Sequence, residues 1–176
     1  METLTFGSIT VDAVVDGELK LPFGRAFRGF DATSFARYGG IEGDTIDALL
    51  TTFVIRAAGR TILVDTGQGA DMGAMGAMGV GGSCGLLPGA LAHAGITPER
   101  VDIVICTHLH GDHIGWNVTA TDEPRPMFPR ARYIVSRTEW AHWSTIADPA
   151  VTRCIRPLEA AGQLELVADD HTVLPG

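Results

Sequence analysis

Cysteine is scarce in this sequence, and long apolar runs are missing. The three cysteines, Cys84, Cys106 and Cys154, are odd in number, lie far apart and form no CxxC pair. This pattern excludes a disulfide framework and a zinc site built from thiolates. No apolar stretch approaches the length of a membrane span, and the first residues lack the basic segment of a secretory signal. We therefore expect a cytoplasmic protein without a membrane partner.

Basic residues are also few. The chain has 13 Lys and Arg against 21 Asp and Glu, which gives a net charge of -8. This acidic balance disfavours binding to a phosphate backbone, so no nucleic acid partner is expected. The 45% apolar content of the 176 residues is enough to bury a core, and no repeat or linker divides the chain. We therefore predict a single domain over residues 1–176.

Alternation and glycine placement predict the first half of the secondary structure. Residues 3–21 are predicted to form two short strands with Gly17 in the turn between them, and residues 51–65 to form a second hairpin. Residues 23–47 combine glycines with phenylalanines, which favours a long ordered loop. In residues 68–85 a glycine follows each methionine, which predicts a mobile loop without regular elements.

The second half alternates strands with helices. Helices are predicted at 86–94 and 149–162, and strands at 101–107, at 131–140 leading into a short helix, and from 164 onward, with a turn and the start of another strand after it. Strands that alternate with helices are typical of a layered α/β domain, which is the fold class we predict.

The main chemical signal is a cluster of histidines directly after the strand at 101–107. In an extended segment residues i and i+2 point the same way, so His108 and His110 can present two imidazoles to one ion. Gly111 allows a sharp turn, which would bring Asp112 and His113 back to the same pocket. Imidazole and carboxylate donors suit zinc, and spacing alone leaves manganese, cobalt and iron open. Cys106, although on the same alternation, is predicted to be a buried small side chain.

The run HLHGDH at 108–113 matches in full the HxHxDH signature of the metallo-β-lactamase superfamily, which this chain resembles. Thr107 and Trp116 are common flanking residues in that family, and LVDTG at 63–67 looks like its strand-end DTG. The segments GWN and FPRARYIVSRTEWAHW that follow the motif are most similar to the branch of acyl-homoserine lactonases and organophosphate hydrolases.

The resemblance implies an αββα sandwich, of which this chain supplies roughly the first αβ half. It implies two metal ions, with His108 and His110 at the first and Asp112 and His113 at the second, and Asp65 fixing an imidazole through a hydrogen bond. The family's later ligands, including a histidine in a TPGH-type turn, have no counterpart before Gly176. The domain is therefore expected to be incomplete at its C-terminal end, with an exposed face that favours a homo-oligomer.

The function expected from these residues is hydrolysis of a small lactone or other ester by a metal-bound hydroxide. Asp112 is the predicted catalytic residue, exchanging a proton with the leaving oxygen. Phe23, Phe27 and Phe30 in the aromatic-rich loop, together with Trp116, are candidates for an apolar substrate wall. A phosphotriester, thioester or β-lactam hydrolase is the alternative enzyme, and an inactive metal-binding fragment is the alternative without catalysis.

Overall fold

The structure is a computed structural model that describes residues 3–29, 32–35, 37, 39, 41–77, 79–168 and 170–174. Its strands are β1 (Thr3–Phe6), β2 (Ile9–Pro22), β3 (Ile41–Glu42), β4 (Thr45–Ala57), β5 (Arg60–Val64), β6 (Gly81–Ser83), β7 (Ile103–Ile105), β8 (Arg132–Ser136) and β9 (Leu164–Val167). Its helices are α1 (Phe23–Ala26), α2 (Ala32–Phe35), α3 (Gly73–Ala77), α4 (Leu87–His93), α5 (Gly111–Ile114), α6 (Arg137–Trp143), α7 (Pro149–Cys154) and α8 (Arg156–Ala160). None of the helices in these ranges is long and apolar enough to cross a membrane.

The strands form one sheet, in which an antiparallel half continues into a parallel half. Its path runs β1-β2-β4-β5-β7-β8-β9, while β3 pairs with β4 and β6 pairs with β2. Neighbours are antiparallel from β1 to β5 and parallel from β5 to β9. Because parallel strands have their carboxyl ends at the same edge, the residues that follow β5 and β7 meet there. The fold thereby places Asp65 beside the segment that carries the histidines.

One face of the sheet is covered by helices and carries the main core. Leu63, Val104 and Tyr133 are fully buried on this face, and Leu91 of α4 and Leu158 of α8 pack in the same cluster. The helices have at most seven residues each, so packing on the sheet rather than helix propensity stabilises them. This arrangement confirms the predicted layered α/β class.

The opposite face of the sheet is apolar but only partly covered. Ile62, Ile103 and Ile134 form a small buried cluster on it. The strand register places Phe53 and Leu4 on the same face, where they are 46% and 52% exposed. Large apolar side chains left in water are typical of a surface that another layer covers. We call this surface, from β1 to β9, the open face.

The first predicted hairpin has the right strands but the wrong turn. The chain turns at Gly7 and Ser8, and Gly17 lies inside β2 at a register shift. A Cβ at Gly17 would lie only 2.0 Å from the carbonyl oxygen of Ser83 in β6, so close strand packing requires glycine there. The second predicted hairpin, over residues 51–65, is confirmed as β4 and β5.

Two predicted loops contain regular elements. Residues 68–85, expected to have none, hold α3 and then β6, because the backbone of β6 pairs with Glu18, Leu19 and Lys20 of β2. Residues 23–47 hold α1, α2 and β3 and end within β4. In residues 68–85 pairing with a distant strand overrides the glycine-rich composition. In residues 23–47 the elements are short helices and a local pairing of β3 with β4.

The remaining elements follow the prediction more closely. The helix expected at 86–94 is α4, and the strands expected at 101–107 and 131–140 are β7 and β8, the latter running into α6. The helix expected at 149–162 is divided at Ile155 into α7 and α8, with Pro157 close to the start of α8. A strand forms from 164 as β9, but residues 170–174 belong to no strand.

A buried carboxylate ties the edge of the antiparallel half together. Asp12 of β2 accepts hydrogen bonds from the hydroxyl of Thr3 in β1 and from the guanidinium of Arg56 in β4. The Thr3 hydrogen bond lowers the pKa of Asp12, and the neighbouring Arg56 lowers it further, against the opposing effect of burial. The ionised carboxylate therefore stabilises this three-strand contact.

Candidate metal centre

The candidate ligands lie on the turn that follows β7. The chain is extended at His110, with φ -69° and ψ 150°, and α5 begins at the next residue. Gly111 does not have the positive φ that a sharp glycine turn would require. Instead, a Cβ at Gly111 would lie 3.3 Å from the Cβ of Ala150 in α7, so the glycine serves close packing of the turn against that helix. The interpretation of Gly111 as a turn residue is corrected accordingly.

The turn brings the four predicted ligands together. Nε2 of His108 lies 3.0 Å from Nδ1 of His110, and the rings of His108 and His113 are 4.0 Å apart between centroids. Nε2 of His113 lies 3.6 Å from Oδ2 of Asp112. The backbone of one short segment therefore gathers three imidazoles and a carboxylate.

These donors contact one another in the structure. Within the described ranges, no group of three or more His, Cys, Asp and Glu side chains has the arrangement needed to hold a metal ion. His108 and His110 share a hydrogen bond, so ligation requires their side chains to rotate away from each other. The donor types do fit zinc, which takes imidazole nitrogen and carboxylate oxygen. The backbone already places these donors on one turn.

Asp65 lies directly behind the turn. It follows β5 with a φ of 59°, unusual for a residue other than glycine, and its amide donates to the carbonyl of Ile105 at 2.8 Å. Its Oδ2 accepts from Nδ1 of His113 and from the Thr107 hydroxyl, each at 2.7 Å, and its Oδ1 accepts from the Thr107 amide at 2.8 Å. Asp65 can thus orient the His113 ring, which is the contact its predicted role requires. The role itself stays a prediction.

Burial, charge and hydrogen bonds shift the pKa values of His108 and His113 in opposite directions. Burial alone would raise the pKa of Asp65, but the hydrogen bonds from His113 and Thr107 outweigh it and the pKa is lowered. Burial would lower the pKa of His113, but the Asp65 hydrogen bond and the Asp112 charge raise it. Burial lowers the pKa of His108, and the nearby His113 and His110 add to that shift. His108 is therefore held towards the neutral form that binds metals.

Residues 66–68, which follow β5 and which we call the strand-end segment, pack tightly against the turn at 108–113. The Thr66 amide donates to the carbonyl of His113 at 2.7 Å, and the Gly115 amide donates to the carbonyl of Gly67 at 2.8 Å. A Cβ at Gly115 would lie 2.0 Å from the carbonyl carbon of Gln68. The two segments consequently hold each other in place through backbone contacts.

Cys106 precedes the turn and behaves as the sequence predicted for a small buried side chain. It is 5% exposed, and burial raises the pKa of its thiol to about 12. Asn117 donates a long hydrogen bond of 3.5 Å to its sulfur. The thiol is therefore neutral near pH 7 and packs in the core.

A cavity of about 540 Å³ adjoins the turn. His110, Asp112 and Trp116 line it, together with Met75 from α3 and Trp143 from α6. The volume is within the range of small-molecule sites, and its wall is largely apolar with polar groups at the turn. Of the predicted substrate residues, the structure places Trp116 in this wall.

The other predicted substrate residues lie elsewhere. The rings of Phe23, Phe27 and Phe35 pack against one another, with centroids 5.2 to 5.4 Å apart. Neither Phe23 nor Phe27 is among the described residues that line the cavity at the turn. Phe30 lies outside the described residues. A substrate role for this aromatic loop stays a prediction.

Sequence reasoning missed several residues that hold the site. Glu139 of α6 accepts from the Leu109 amide at 2.9 Å and from Nε1 of Trp143 at 2.7 Å, which connects the turn to the cavity wall. Asp16 of β2 is fully buried and accepts from Nε1 of Trp116 at 2.9 Å. The available signal was alternation, because Asp16 occupies the same inward phase of β2 as the buried Val14.

Comparison with known proteins gives the fold a context. The model of the family described as the metallo-beta-lactamase superfamily matches residues 31–126, which include the whole histidine turn and Asp65. No curated protein sequence matches the chain.

Several solved structures are similar to this chain. The hydrolase AbOPH of the beta lactamase superfamily has a TM-score of 0.78 at 20% identity, covering 97% of this chain and 62% of that one. A probable metal-dependent hydrolase from Staphylococcus aureus has a TM-score of 0.78 at 21% identity, covering 98% and 64%. AidC, a dizinc quorum-quenching lactonase, has a TM-score of 0.75 at 20% identity, covering 98% and 62%.

These similarities concern the fold, because the identities are low. The chain spans a little under two thirds of the length of the structures it matches. The predicted metallo-β-lactamase-like fold is confirmed, and the open face lies where the predicted half-sandwich leaves its sheet uncovered.

Proposed function

The chain belongs to the metallo-beta-lactamase superfamily, and on that premise we propose that it is the metal-binding part of a hydrolase that acts on a lactone or another small ester. The observation that carries this proposal is the cluster of three imidazoles and one carboxylate on the turn at 108–113, backed by the Asp65 hydrogen bond to His113. A carboxylate that accepts a hydrogen bond from the second ring nitrogen is typical of histidines that bind metals.

Zinc is the proposed metal, with two ions expected in a complete domain. His108 and His110 would hold one ion, and Asp112 with His113 would hold the other. When bound to imidazole and carboxylate donors, zinc acts as a Lewis acid and lowers the pKa of a coordinated water towards neutrality. Manganese, cobalt and iron are the alternatives, since all accept the same donors.

The protein residues have separate proposed tasks. Asp65 fixes the ring of His113 through Nδ1, which leaves Nε2 on the side of Asp112, 3.6 Å away. The side chain of Asp112 is 22% exposed and lines the cavity, so its carboxylate can reach a small molecule bound there. We assign to Asp112 the transfer of a proton from the attacking water to the leaving oxygen, which needs a carboxylate near the scissile bond.

A lactone is the first candidate substrate. We call residues 108–113 the metal turn. The sequence around them is most similar to the lactonase and organophosphate hydrolase branch, and a dizinc quorum-quenching lactonase is among the similar structures. The cavity of about 540 Å³ supports a small-molecule substrate. The same ligand set could serve a phosphotriester, thioester or β-lactam, because chemistry is decided by the site and not by the fold.

The decisive experiment combines metal analysis with turnover. Elemental analysis would give zinc per chain, and hydrolysis of N-hexanoyl homoserine lactone and of paraoxon would be measured before and after zinc addition. We expect His110→Ala to lose zinc and turnover, while His93→Ala, an exposed residue of α4, keeps both. Zinc binding equal in the wild type and His110→Ala would contradict the metal site. Zinc without turnover of any ester would overturn the hydrolase proposal in favour of a metal-binding fragment.

A further inference from the structure

A buried carboxylate outside the ligand set lies close to the proposed site. Asp16, at the bulge of β2, is 0% exposed, and it has no ion pair with any cation in the described part of the chain. Burial of an isolated carboxylate is energetically unfavourable unless hydrogen bonds satisfy it. The residues around Asp16 must therefore supply hydrogen-bond donors to its carboxylate.

Four N–H groups donate to this side chain. Oδ2 accepts from the Gln68 amide at 2.9 Å. Oδ1 accepts from the amides of Gly85 at 3.2 Å and Leu87 at 2.9 Å, and from Nε1 of Trp116 at 2.9 Å. These donors come from three segments, namely the residues after Asp65, the start of α4 and the residues after the metal turn. One carboxylate thus joins two segments that line the cavity, at Gln68 and at Trp116, to the residues at the start of α4.

The packing leaves this carboxylate little freedom. A Cβ at Gly67 would lie 2.4 Å from Oδ2 of Asp16, so the DTG segment passes directly over the side chain. The carbonyl of Gly67 in turn accepts from the Gly115 amide at 2.8 Å, beside Trp116. The backbone at Gly67, itself held by Gly115, therefore restricts the movement of the Asp16 side chain.

Trp116 is the residue through which Asp16 can affect chemistry. It is 8% exposed and lines the cavity together with His110 and Asp112. The indole has a single polar atom, Nε1, which can only donate, and Asp16 is its acceptor. The amide of Trp116 donates to the Thr66 carbonyl at 3.1 Å, and the ring also packs in the main core. Loss of the Asp16 hydrogen bond would remove the polar contact that sets the orientation of the indole within its packed surroundings.

We propose that Asp16 is a positioning residue that fixes the indole of Trp116 as a wall of the cavity beside Asp112, and that Trp116 contacts the acyl group of the substrate. Asp16 itself touches no reacting atom. The catalytic meaning of this inference rests on the hydrolase function proposed above, but the orientation of Trp116 can be measured through ligand binding alone.

A double-mutant cycle separates positioning from general stability. Trp116→Phe removes the indole N–H together with part of the ring, whereas Asp16→Asn weakens all four hydrogen bonds but keeps the indole. The cycle asks whether the second change still matters once the first is made. Trp140→Phe in α6, which does not line the cavity, is the matched control. The ligand is 3-hexanoylamino-pyrrolidin-2-one, a lactam that resists hydrolysis, and its dissociation constant is measured by calorimetry. KM and kcat for the corresponding lactone are measured in parallel.

We expect Trp116→Phe and Asp16→Asn each to weaken lactam binding and raise KM by about tenfold, with kcat changed less than about threefold. The double variant should be no weaker than either single one, and Trp140→Phe should bind as the wild type does. Unchanged binding in Trp116→Phe, multiplication of the two effects, or no lactam binding by the wild type would each overturn the inference. If Asp16→Asn does not fold, benzothienylalanine at position 116, which keeps the ring size and removes the N–H donor, tests the same hydrogen bond and should weaken lactam binding in the same way. Lactam binding with this pattern but no lactone turnover would refute the hydrolase proposal and leave the positioning role intact.

Discussion

Replacing Gly115, Gly111 or Gly89 with alanine should change the free energy of unfolding to three different extents. Each substitution adds one methyl group at a residue without positive φ, so backbone strain does not contribute. A Cβ at Gly115 would lie 2.0 Å from the carbonyl carbon of Gln68, in the contact between the strand-end segment and the metal turn. A Cβ at Gly111 would lie 3.3 Å from the Cβ of Ala150, whereas one at Gly89 in α4 meets nothing within 4 Å.

The magnitudes follow from what must move. At Gly115 the neighbouring atoms are backbone, and relief requires the metal turn and the strand-end segment to separate by more than 1 Å, so Gly115→Ala should destabilise by about 3 kcal/mol. For a chain of this size, that corresponds to roughly 9 °C in Tm. Gly111→Ala meets a single side-chain methyl group and should cost about 1 kcal/mol. Gly89→Ala only restricts the unfolded chain and should stabilise by about 0.5–1 kcal/mol.

Urea denaturation followed by circular dichroism would give the three free energies of unfolding, and elemental analysis would give zinc per chain. We expect Gly115→Ala to lose zinc as well as stability, because the clash displaces the turn that carries the ligands, while Gly89→Ala keeps its zinc. The reasoning would be refuted if Gly115→Ala were as stable as the wild type, or if Gly89→Ala were the most destabilised of the three.

Three further predictions concern charge and the open face. Asp65→Asn should lower zinc affinity by about 10–100-fold in a chelator competition, since an amide holds the ring of His113 less firmly; equal affinity would exclude the orienting role. The folded pKa of Asp12 is lowered, so its contribution to stability is present above about pH 4 and lost as pH falls through the folded value. The stability difference between wild type and Asp12→Asn should therefore shrink on acidification, and a constant difference would contradict this. We also propose that chains pair through the open face, so Phe53→Ser should reduce concentration-dependent self-association in sedimentation velocity; a wild type that stays monomeric at all concentrations would refute it.

Some features of the fold could be predicted because their causes are local. The hairpin of β4 and β5 follows from alternation on both sides of a turn sequence, and its register needs no information from elsewhere in the chain. The strand β7 is a short apolar run between polar residues, and the histidine turn follows it directly. The four candidate ligands lie within six consecutive positions, so the geometry of one short segment was enough to bring them together.

Other features depend on contacts that the sequence does not display. Gly17 resembles a turn residue, but its reason is the Ser83 carbonyl, which arrives through β6. The glycine-rich residues 68–85 look unable to form a strand, yet β6 obtains its hydrogen bonds from β2. In both places the partner is a strand more than 60 positions away in the chain, as the register of Leu19 with Gly82 shows.

The sequence by itself determined the donor set of the proposed metal site, because donor type and spacing along one turn are local properties. Only the tertiary structure decided what surrounds that turn. Asp16 and Trp116 are 100 positions apart, and their contact exists because β2 and the metal turn pack on the same segment after β5. A buried carboxylate finds its donors wherever the fold leaves N–H groups without other partners, which is a property of the assembled core and not of any stretch of residues.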